Sequence, residues 1–194
     1  MPSSSQPFAV TFDLEFTAWE GSLAAGWLRP GEFKEVVQIG AVKVDRSFAP
    51  IDRLDVLVLP RLNPVLSDFL QELTGITNDE VRARGVDFAQ AYEAFVAFAG
   101  SVPIMAFGRD DLVLGENLRL YGLKDLPPLP RYLDIRHWLH GQGIDVRGLH
   151  ACDVGPAAGV PFEGQPHNAL CDALSIAAGV AALIARGAPL PEVP

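Results

Sequence analysis

The amino-acid sequence predicts a single domain of the α/β class, built on a mixed β-sheet. Segments with strand-like patterns are followed by helix-rich sequence, and the first strands lie close enough along the chain to form a hairpin. In a chain of 194 residues, a content of 49% hydrophobic and 20% charged residues predicts one packed core. We expect the domain to span residues 7–187, with flexible termini at 1–6 and 188–194.

The strands are predicted from runs of apolar residues with β-type spacing. The first run alternates, so that Phe12 and Leu14 share one face while Thr11 and Asp13 share the other. The second is apolar on both faces, which predicts a central strand. Pro60 ends the third. The five segments are "FAVTFDL" (8–14), "EVVQIGAVKV" (35–44), "LDVLVLP" (54–60), "VPIMAFG" (102–108) and "PRYLDI" (130–135).

The helices are predicted from apolar residues recurring every three or four positions. Gly75 and Gly100 follow two of these segments at positions suited to helix C-termini. The last segment is apolar nearly all round, which predicts a buried helix. The five helical segments are "LSDFLQELTG" (66–75), "DFAQAYEAFVAFAG" (87–100), "DLVLGENLRLYG" (111–122), "IRHWLHGQG" (135–143) and "HNALCDALSIAAGVAALIARG" (167–187).

Charge and hydropathy exclude several classes of protein. The net charge of −9 argues against electrostatic capture of long duplex nucleic acid, which requires many neutralised phosphates. No apolar run is long enough to predict a membrane span, and the start "MPSSSQP" does not resemble a secretory signal. Cys152 and Cys171 form no paired framework, which favours reduced thiols. We therefore expect a cytoplasmic protein.

Two acids interrupt the end of the first strand. Asp13 and Glu15 are two positions apart, so both side chains leave the same face of the strand, about 6–7 Å apart along the backbone. This spacing suits oxygen ligands of one or two divalent cations. A solvated strand end is an equally good interpretation of this segment by itself.

A histidine and an acid lie at the head of the last helix. Asp172 precedes Ile176 and Val180 on one apolar stripe, and an unpaired carboxylate there would require a charged partner or a metal ion. The alternative is a first-turn acid that complements the helix dipole. His167, five residues earlier, has the chemistry of a general base; alternatively, it is a surface histidine that starts the helix.

The segment "AFGRDDLVLGENLRLYG" offers two further acids. Asp111 shares the helical face of Leu114 and Leu118, which directs it toward the core, whereas Asp110 suits an N-cap. The alternative is that both acids cap the helix. Carboxylates that converge repel one another and raise one another's pKa unless cations neutralise them. Taken together, the acids at these strand and helix ends predict a two-metal centre.

These motifs resemble the DEDDh-type 3′-to-5′ exonucleases of the ribonuclease H-like fold. The first motif is "DLE", with Asp13 and Glu15; the second resembles "FGRDD", whose spacing selects Asp111; the third is "HNALCDA", with His167 and Asp172. The order and separations fit over about residues 7–185. The resemblance implies an α/β, ribonuclease H-like mixed five-stranded sheet flanked by helices.

Two further segments agree with the resemblance, and two features depart from it. "EVVQIGAV" is similar to the family's second strand, and "LTGIT" to the segment beside the terminal base of the substrate. Phe107 stands where the branch of histone-mRNA exonucleases usually has tryptophan. The insertion "TAWEGSLAAGWLRPGE" is longer than a simple hairpin. Its tryptophans, Trp19 and Trp27, either touch substrate or pack over the hairpin.

The resemblance implies hydrolysis of a terminal phosphodiester with release of nucleoside 5′-monophosphates. Two Mg²⁺ or Mn²⁺ ions would be held by Asp13, Glu15, Asp111 and Asp172. One ion would activate a water molecule, whose proton would pass to His167. The substrate would be single-stranded RNA or DNA ends or short oligonucleotides, contacted by Phe16, Thr17, Leu73, Ile76 and Phe107. The rival interpretation is a catalytically silent nucleic-acid-binding or protein-interaction module of the same fold. The sequence leaves the oligomeric state open, a homodimer included.

Overall fold

A computed structural model describes residues 6–192 and contains the predicted five-stranded mixed sheet. The strands are β1 (Ala9–Phe16), β2 (Val36–Val44), β3 (Pro50–Leu57), β4 (Ile104–Ala106) and β5 (Tyr132–Asp134). Their order in the sheet is β3-β2-β1-β4-β5, with β1 paired antiparallel to β2 and parallel to β4. β2 pairs antiparallel with β3, and β4 pairs parallel with β5. The predicted fold class is confirmed.

The central strand β1 separates two halves of the core. Phe12 packs with apolar residues of the helices α4 (Phe88–Ala99) and α5 (Asp110–Leu120), including Phe95. Ala9 lies in a second cluster with the apolar side chains of the last helix, α8 (Ala169–Ala185). The Thr11 hydroxyl donates to the Ala173 carbonyl at 2.9 Å, which ties this second face of β1 to α8. Asp13 and Glu15 therefore share a face with residues that pack under α8.

Helices cover both faces of the sheet. The predicted helical segments are present, but α1, α3 and α7 were not predicted. A capping box between Thr77 and Glu80 starts α3, and Asn168 caps α8, so that helix begins after His167. The helices are α1 (Ser22–Ala25), α2 (Asp68–Thr74), α3 (Asn78–Arg84), α4 (Phe88–Ala99), α5 (Asp110–Leu120), α6 (Ile135–Gly141), α7 (Val154–Ala157) and α8 (Ala169–Ala185); a 3-10 helix (Ala151–Asp153) precedes α7.

The third strand lies earlier in the chain than predicted. It ends at Leu57, and Pro60 lies beyond it. The predicted flexible ends fall partly outside the described residues, at 1–5 and 193–194. Near the second of these ends, the Trp138 indole donates to the Pro189 carbonyl at 3.2 Å. Within the described part of the chain, the helices are too short or too polar to cross a bilayer.

Candidate active site

A cavity of about 500 Å³ opens beside the carboxyl end of β1. Its floor is built from several elements that are distant in sequence. β1 contributes Asp13 and Glu15, the first residue of α5 contributes Asp110, and the first turn of α8 contributes Asp172. His167, immediately before the α8 N-cap, lies in the same cavity.

Glu15, His167 and Asp172 form the most compact part of this floor. Each offers one ligand atom, and the three atoms lie within 4.8 Å of one another. Glu15 is 7% exposed and Asp172 only 2% exposed, so both carboxylates are largely removed from water. Three such groups at this separation have the chemistry of a divalent-cation site.

The acids destabilise one another's ionised forms. Burial, and then the charges of Asp110, Glu15 and Asp172, raise the pKa of Asp13 well above its usual range. Burial and then Asp172 do the same for the pKa of Glu15. Burial also raises the pKa of Asp110 and of Asp172 to about 7. The cluster therefore favours either bound protons or bound cations.

Carboxylate oxygens without a hydrogen-bond partner support the binding of cations by this cluster. Oδ2 of Asp110 and Oδ1 of Asp172 are buried and have no hydrogen-bond partner among the described residues. A buried carboxylate oxygen without a donor is unfavourable. Divalent cations such as Mg²⁺ prefer oxygen ligands of this kind, so the residues present fit a metal ion.

The structure places Asp110 in the cavity and turns Asp111 away from it. The Asp111 carboxylate accepts from Nε and NH2 of Arg109 at 2.9 and 2.8 Å. The sequence analysis selected Asp111 as the metal ligand, whereas the structure places Asp110 among the acids of the cavity. The sequence favoured Asp111 by helical periodicity and by the spacing of the motif "FGRDD", but the direction of the first helical residues is set by the preceding loop, where Gly108 has a φ of 142°.

His167 is held in a left-handed backbone conformation, with a φ of 59°. Its ring packs edge-on against the ring of His150, with centroids 5.3 Å apart. Burial, and then the proximity of His150, lower the pKa of His167. The imidazole is therefore mainly uncharged at neutral pH and able to accept a proton.

Three of the five residues predicted to contact substrate line the cavity: Phe16, Leu73 and Phe107. The other two do not. Thr17 is buried, with its hydroxyl donating to the Phe33 carbonyl. Ile76 is buried in an apolar cluster and borders a different cavity, near Gln38 and Asp55.

Sequence reasoning missed further residues of the cavity, among them His150, Leu23 and Phe69. His150 lies in a loop without periodicity, so nothing local indicates that it meets His167. Leu23 lies in the insertion, whose short helix α1 was not predicted. Phe69 belongs to the predicted helix α2, but its face could not be assigned before the position of the cavity was known.

Solved structures of nucleases share this fold. The nuclease domain of 3′hExo, a DEDDh family member solved with rAMP, is 24% identical with a TM-score of 0.78, and the match covers 96% of each chain. A 3′-exonuclease solved with the histone mRNA stem-loop is 22% identical with a TM-score of 0.79; this chain is covered to 94% but spans only 65% of that chain. E. coli exonuclease I with single-stranded DNA is 18% identical with a TM-score of 0.66, covering 94% of this chain and 41% of that chain.

The family of this protein is shown by the match between its sequence and a family model. A search of the curated proteins finds none that matches. The family model described as "Exonuclease" matches residues 10–179, which is most of the chain and includes every acid of the cavity and His167. This protein therefore belongs to the exonuclease family, which confirms the predicted resemblance to DEDDh-type exonucleases and the prediction that it is an enzyme.

Proposed function

We propose that the protein is a metal-dependent 3′-to-5′ exonuclease that releases nucleoside 5′-monophosphates from single-stranded RNA or DNA. The observation that carries this proposal is the meeting of four acids and a histidine in one cavity of an exonuclease-family chain. Similar folds support the substrate and product classes, because one is solved with rAMP and another with single-stranded DNA.

The acids that would hold two Mg²⁺ or Mn²⁺ ions are Asp13, Glu15, Asp110 and Asp172. We assign Asp110 in place of Asp111, because only the former lines the cavity and has an unpartnered buried oxygen. When bound, such ions supply Lewis acidity that activates water and stabilises the charge on the leaving 3′ oxygen. The carboxylates gain from binding them, since the cations remove the mutual repulsion that raises their pKa values.

His167 is proposed as the general base. One of its ring nitrogens lies within 4.8 Å of a carboxylate oxygen of Glu15 and of one of Asp172. One of its ring nitrogens would accept a proton from the attacking water, which an uncharged imidazole can do. The contact with His150 restricts the ring orientation, so the accepting nitrogen is presented to the cavity from a fixed position.

The apolar walls of the cavity provide a place for the terminal nucleotide. Phe16, Leu73 and Phe107 border the acidic floor, and aromatic or aliphatic side chains contact base faces in single-strand-binding sites. The net charge of −9 favours short or single-stranded substrates over long duplexes. Thr17 and Ile76 are buried and do not line this cavity, so we assign them a structural role.

The test uses RNA and DNA oligonucleotides labelled at the 5′ end, incubated with purified protein and Mg²⁺ or Mn²⁺. We expect a ladder that shortens stepwise from the 3′ end, stops on addition of chelator, and is absent in Asp13→Ala and His167→Ala. The exposed residues Asp125 and His137 provide matched controls, and Asp125→Ala and His137→Ala should retain activity. Full activity in both cavity variants, with their folding intact, would refute the assignment.

A further inference from the structure

Gln38 of β2 is a buried amide that is hydrogen-bonded at both ends. It is 2% exposed, and its Nε2 donates to Oδ1 of Asp55 on β3 at 2.8 Å. Its Oε1 accepts the backbone N–H of Ala169, 131 residues further along the chain, at 3.0 Å. A backbone N–H can only donate, so the amide oxygen must face Ala169, and the two partners together fix the orientation of the amide.

The bond to Ala169 caps the last helix from the sheet. Ala169 is the first residue of α8, and the N–H groups of a first helical turn have no partner within their own helix. The Asn168 side chain accepts one of them, from Cys171, at 3.2 Å. Gln38 accepts another, from a residue that is fully buried. Without Gln38 this N–H would be buried and unpaired, so the start of α8 is fixed to β2 as well as to its own N-cap.

Two residues of the acidic cavity lie on either side of the capped N–H. His167 precedes Ala169 by two positions, and Asp172 follows it by three. The left-handed backbone of His167, with a φ of 59°, is a conformation that a residue with a side chain keeps only where its surroundings fix it. Glu15 is paired with Gln38 across β1 and β2, so their side chains share one face of the sheet. The same strand pair therefore carries Glu15 and the bond that fixes its two partners.

We propose that Gln38 is a positioning residue of the active site, which acts by holding the head of α8 at a fixed distance from β1. The three ligand atoms that lie within 4.8 Å of one another come from β1 and from the head of α8, so this distance decides whether one cation can contact all of them. The inference rests on the proposed exonuclease function. It goes beyond the acidic floor, because Gln38 does not line that cavity and would touch neither cation nor substrate.

Three variants separate positioning from stability. Gln38→Met keeps the length of the side chain and removes the acceptor. The exchange Gln38→Glu/Asp55→Asn keeps an acceptor for the Ala169 N–H and reverses donor and acceptor between β2 and β3, so that their hydrogen bond can still form. Gln71→Met is the matched control. Oε1 of Gln71 accepts the N–H of Asn78, the first residue of α3, at 3.1 Å, and Gln71 does not line the acidic cavity.

The experiment measures two properties of each variant. The first is Mn²⁺ binding to the metal-free protein, followed by electron paramagnetic resonance; the second is kcat and KM for shortening of a single-stranded oligonucleotide at saturating Mn²⁺. We expect Gln38→Met to bind Mn²⁺ at least about tenfold more weakly and to have a kcat at least about tenfold lower, with KM within about twofold. The exchange should restore Mn²⁺ binding and kcat to within about threefold of the wild type. Gln71→Met should retain both, although both Gln→Met variants should melt below the wild type.

Wild-type Mn²⁺ binding and kcat in Gln38→Met would overturn the inference. An exchange variant that recovers neither property, or a control that loses as much as Gln38→Met, would overturn it as well. If Gln38→Met does not fold, Gln38→Ser replaces it under the same criteria, because the smaller side chain leaves room for a water molecule at the Ala169 N–H. Absence of cleavage by a wild type that binds Mn²⁺ would overturn the proposed function instead, and the comparison of Mn²⁺ binding among the variants would still decide the role of Gln38.

Discussion

Gly40 of β2 packs against Ala169 of α8 so closely that no side chain fits between them. A Cβ atom at position 40 would lie 2.1 Å from the carbonyl carbon of Ala169 and from the amide nitrogen of Leu170. Gly40 is also the residue paired with Asp13 across β1 and β2. The missing side chain therefore allows the head of α8, with Asp172, to approach the acidic end of β1.

Substitution of this glycine should disturb both stability and the site. We expect Gly40→Ala to lower the free energy of unfolding by about 2–3 kcal/mol, because backbone atoms of α8 must move, and to reduce Mn²⁺ binding. Gly115, in the middle of α5, has no close neighbour, and Gly115→Ala should be neutral or stabilise by up to about 1 kcal/mol. Urea unfolding of both variants provides the measurement; equal stability of the two would contradict this packing argument.

Of the two adjacent aspartates at the start of α5, we expect Asp110 to be needed for activity and Asp111 not to be. Asp110→Asn removes a carboxylate from the cavity, so we expect the kcat of nucleotide release to fall by about a hundredfold or more. Asp111→Asn removes the partner of an arginine, Arg109, whose side chain is 53% exposed, and leaves every carboxylate that lines the cavity in place, so kcat should stay within about twofold. The reverse order of effects in a steady-state assay would restore the choice made from the sequence.

The metal-free protein should become less stable as the pH rises from about 4 to about 7. Asp110 and Asp172 have folded-state pKa values of about 7, so the folded chain binds protons more tightly than the unfolded chain in this window. For Asp110, which is partly exposed, the expected loss of unfolding free energy is on the order of 2 kcal/mol. Thermal melting in chelator at pH 5 and pH 8 checks the sign.

Divalent cations should restore the stability that the metal-free protein loses at high pH. Added Mg²⁺ or Mn²⁺ should raise the melting temperature at pH 8 far more than at pH 5, because protonated carboxylates bind cations weakly. Asp110→Asn should show a smaller pH dependence in chelator than the wild type. A chelated wild type that is as stable at pH 8 as at pH 5 would contradict the repulsion between the acids.

A buried carboxylate outside the site should contribute strongly to stability. Glu35 is fully buried and accepts the backbone N–H groups of residues 61–63 at 2.6–2.8 Å, as well as the Tyr121 hydroxyl. Glu35→Ala leaves these donors unpaired, so we expect a loss of about 3 kcal/mol in the free energy of unfolding. Glu93→Ala, on the exposed face of α4, should change it by less than about 0.5 kcal/mol. Similar values for the two variants in urea unfolding would show that the network contributes little.

Local patterns predicted the scaffold and most of the acids. The alternation in β1 placed Asp13 and Glu15 on one face, and the apolar stripe of α8 placed Asp172 at a buried helix head, because burial acts on each segment separately. The choice between Asp110 and Asp111 failed to match the geometry, since a loop, not a repeating pattern, sets the direction of α5 at its first residue. Likewise, the contact between His150 and His167 is formed by the tertiary structure, and no local sequence pattern indicates it.

The central claim is that the four carboxylates of the cavity together bind divalent cations. It is tested most directly by titrating the protein with Mn²⁺ in the presence of adenosine 5′-monophosphate and following free Mn²⁺ by electron paramagnetic resonance. Our account predicts two Mn²⁺ ions per wild-type chain and a loss of this binding in Asp13→Asn/Glu15→Gln. Wild-type protein that binds no more Mn²⁺ than this double variant would contradict it.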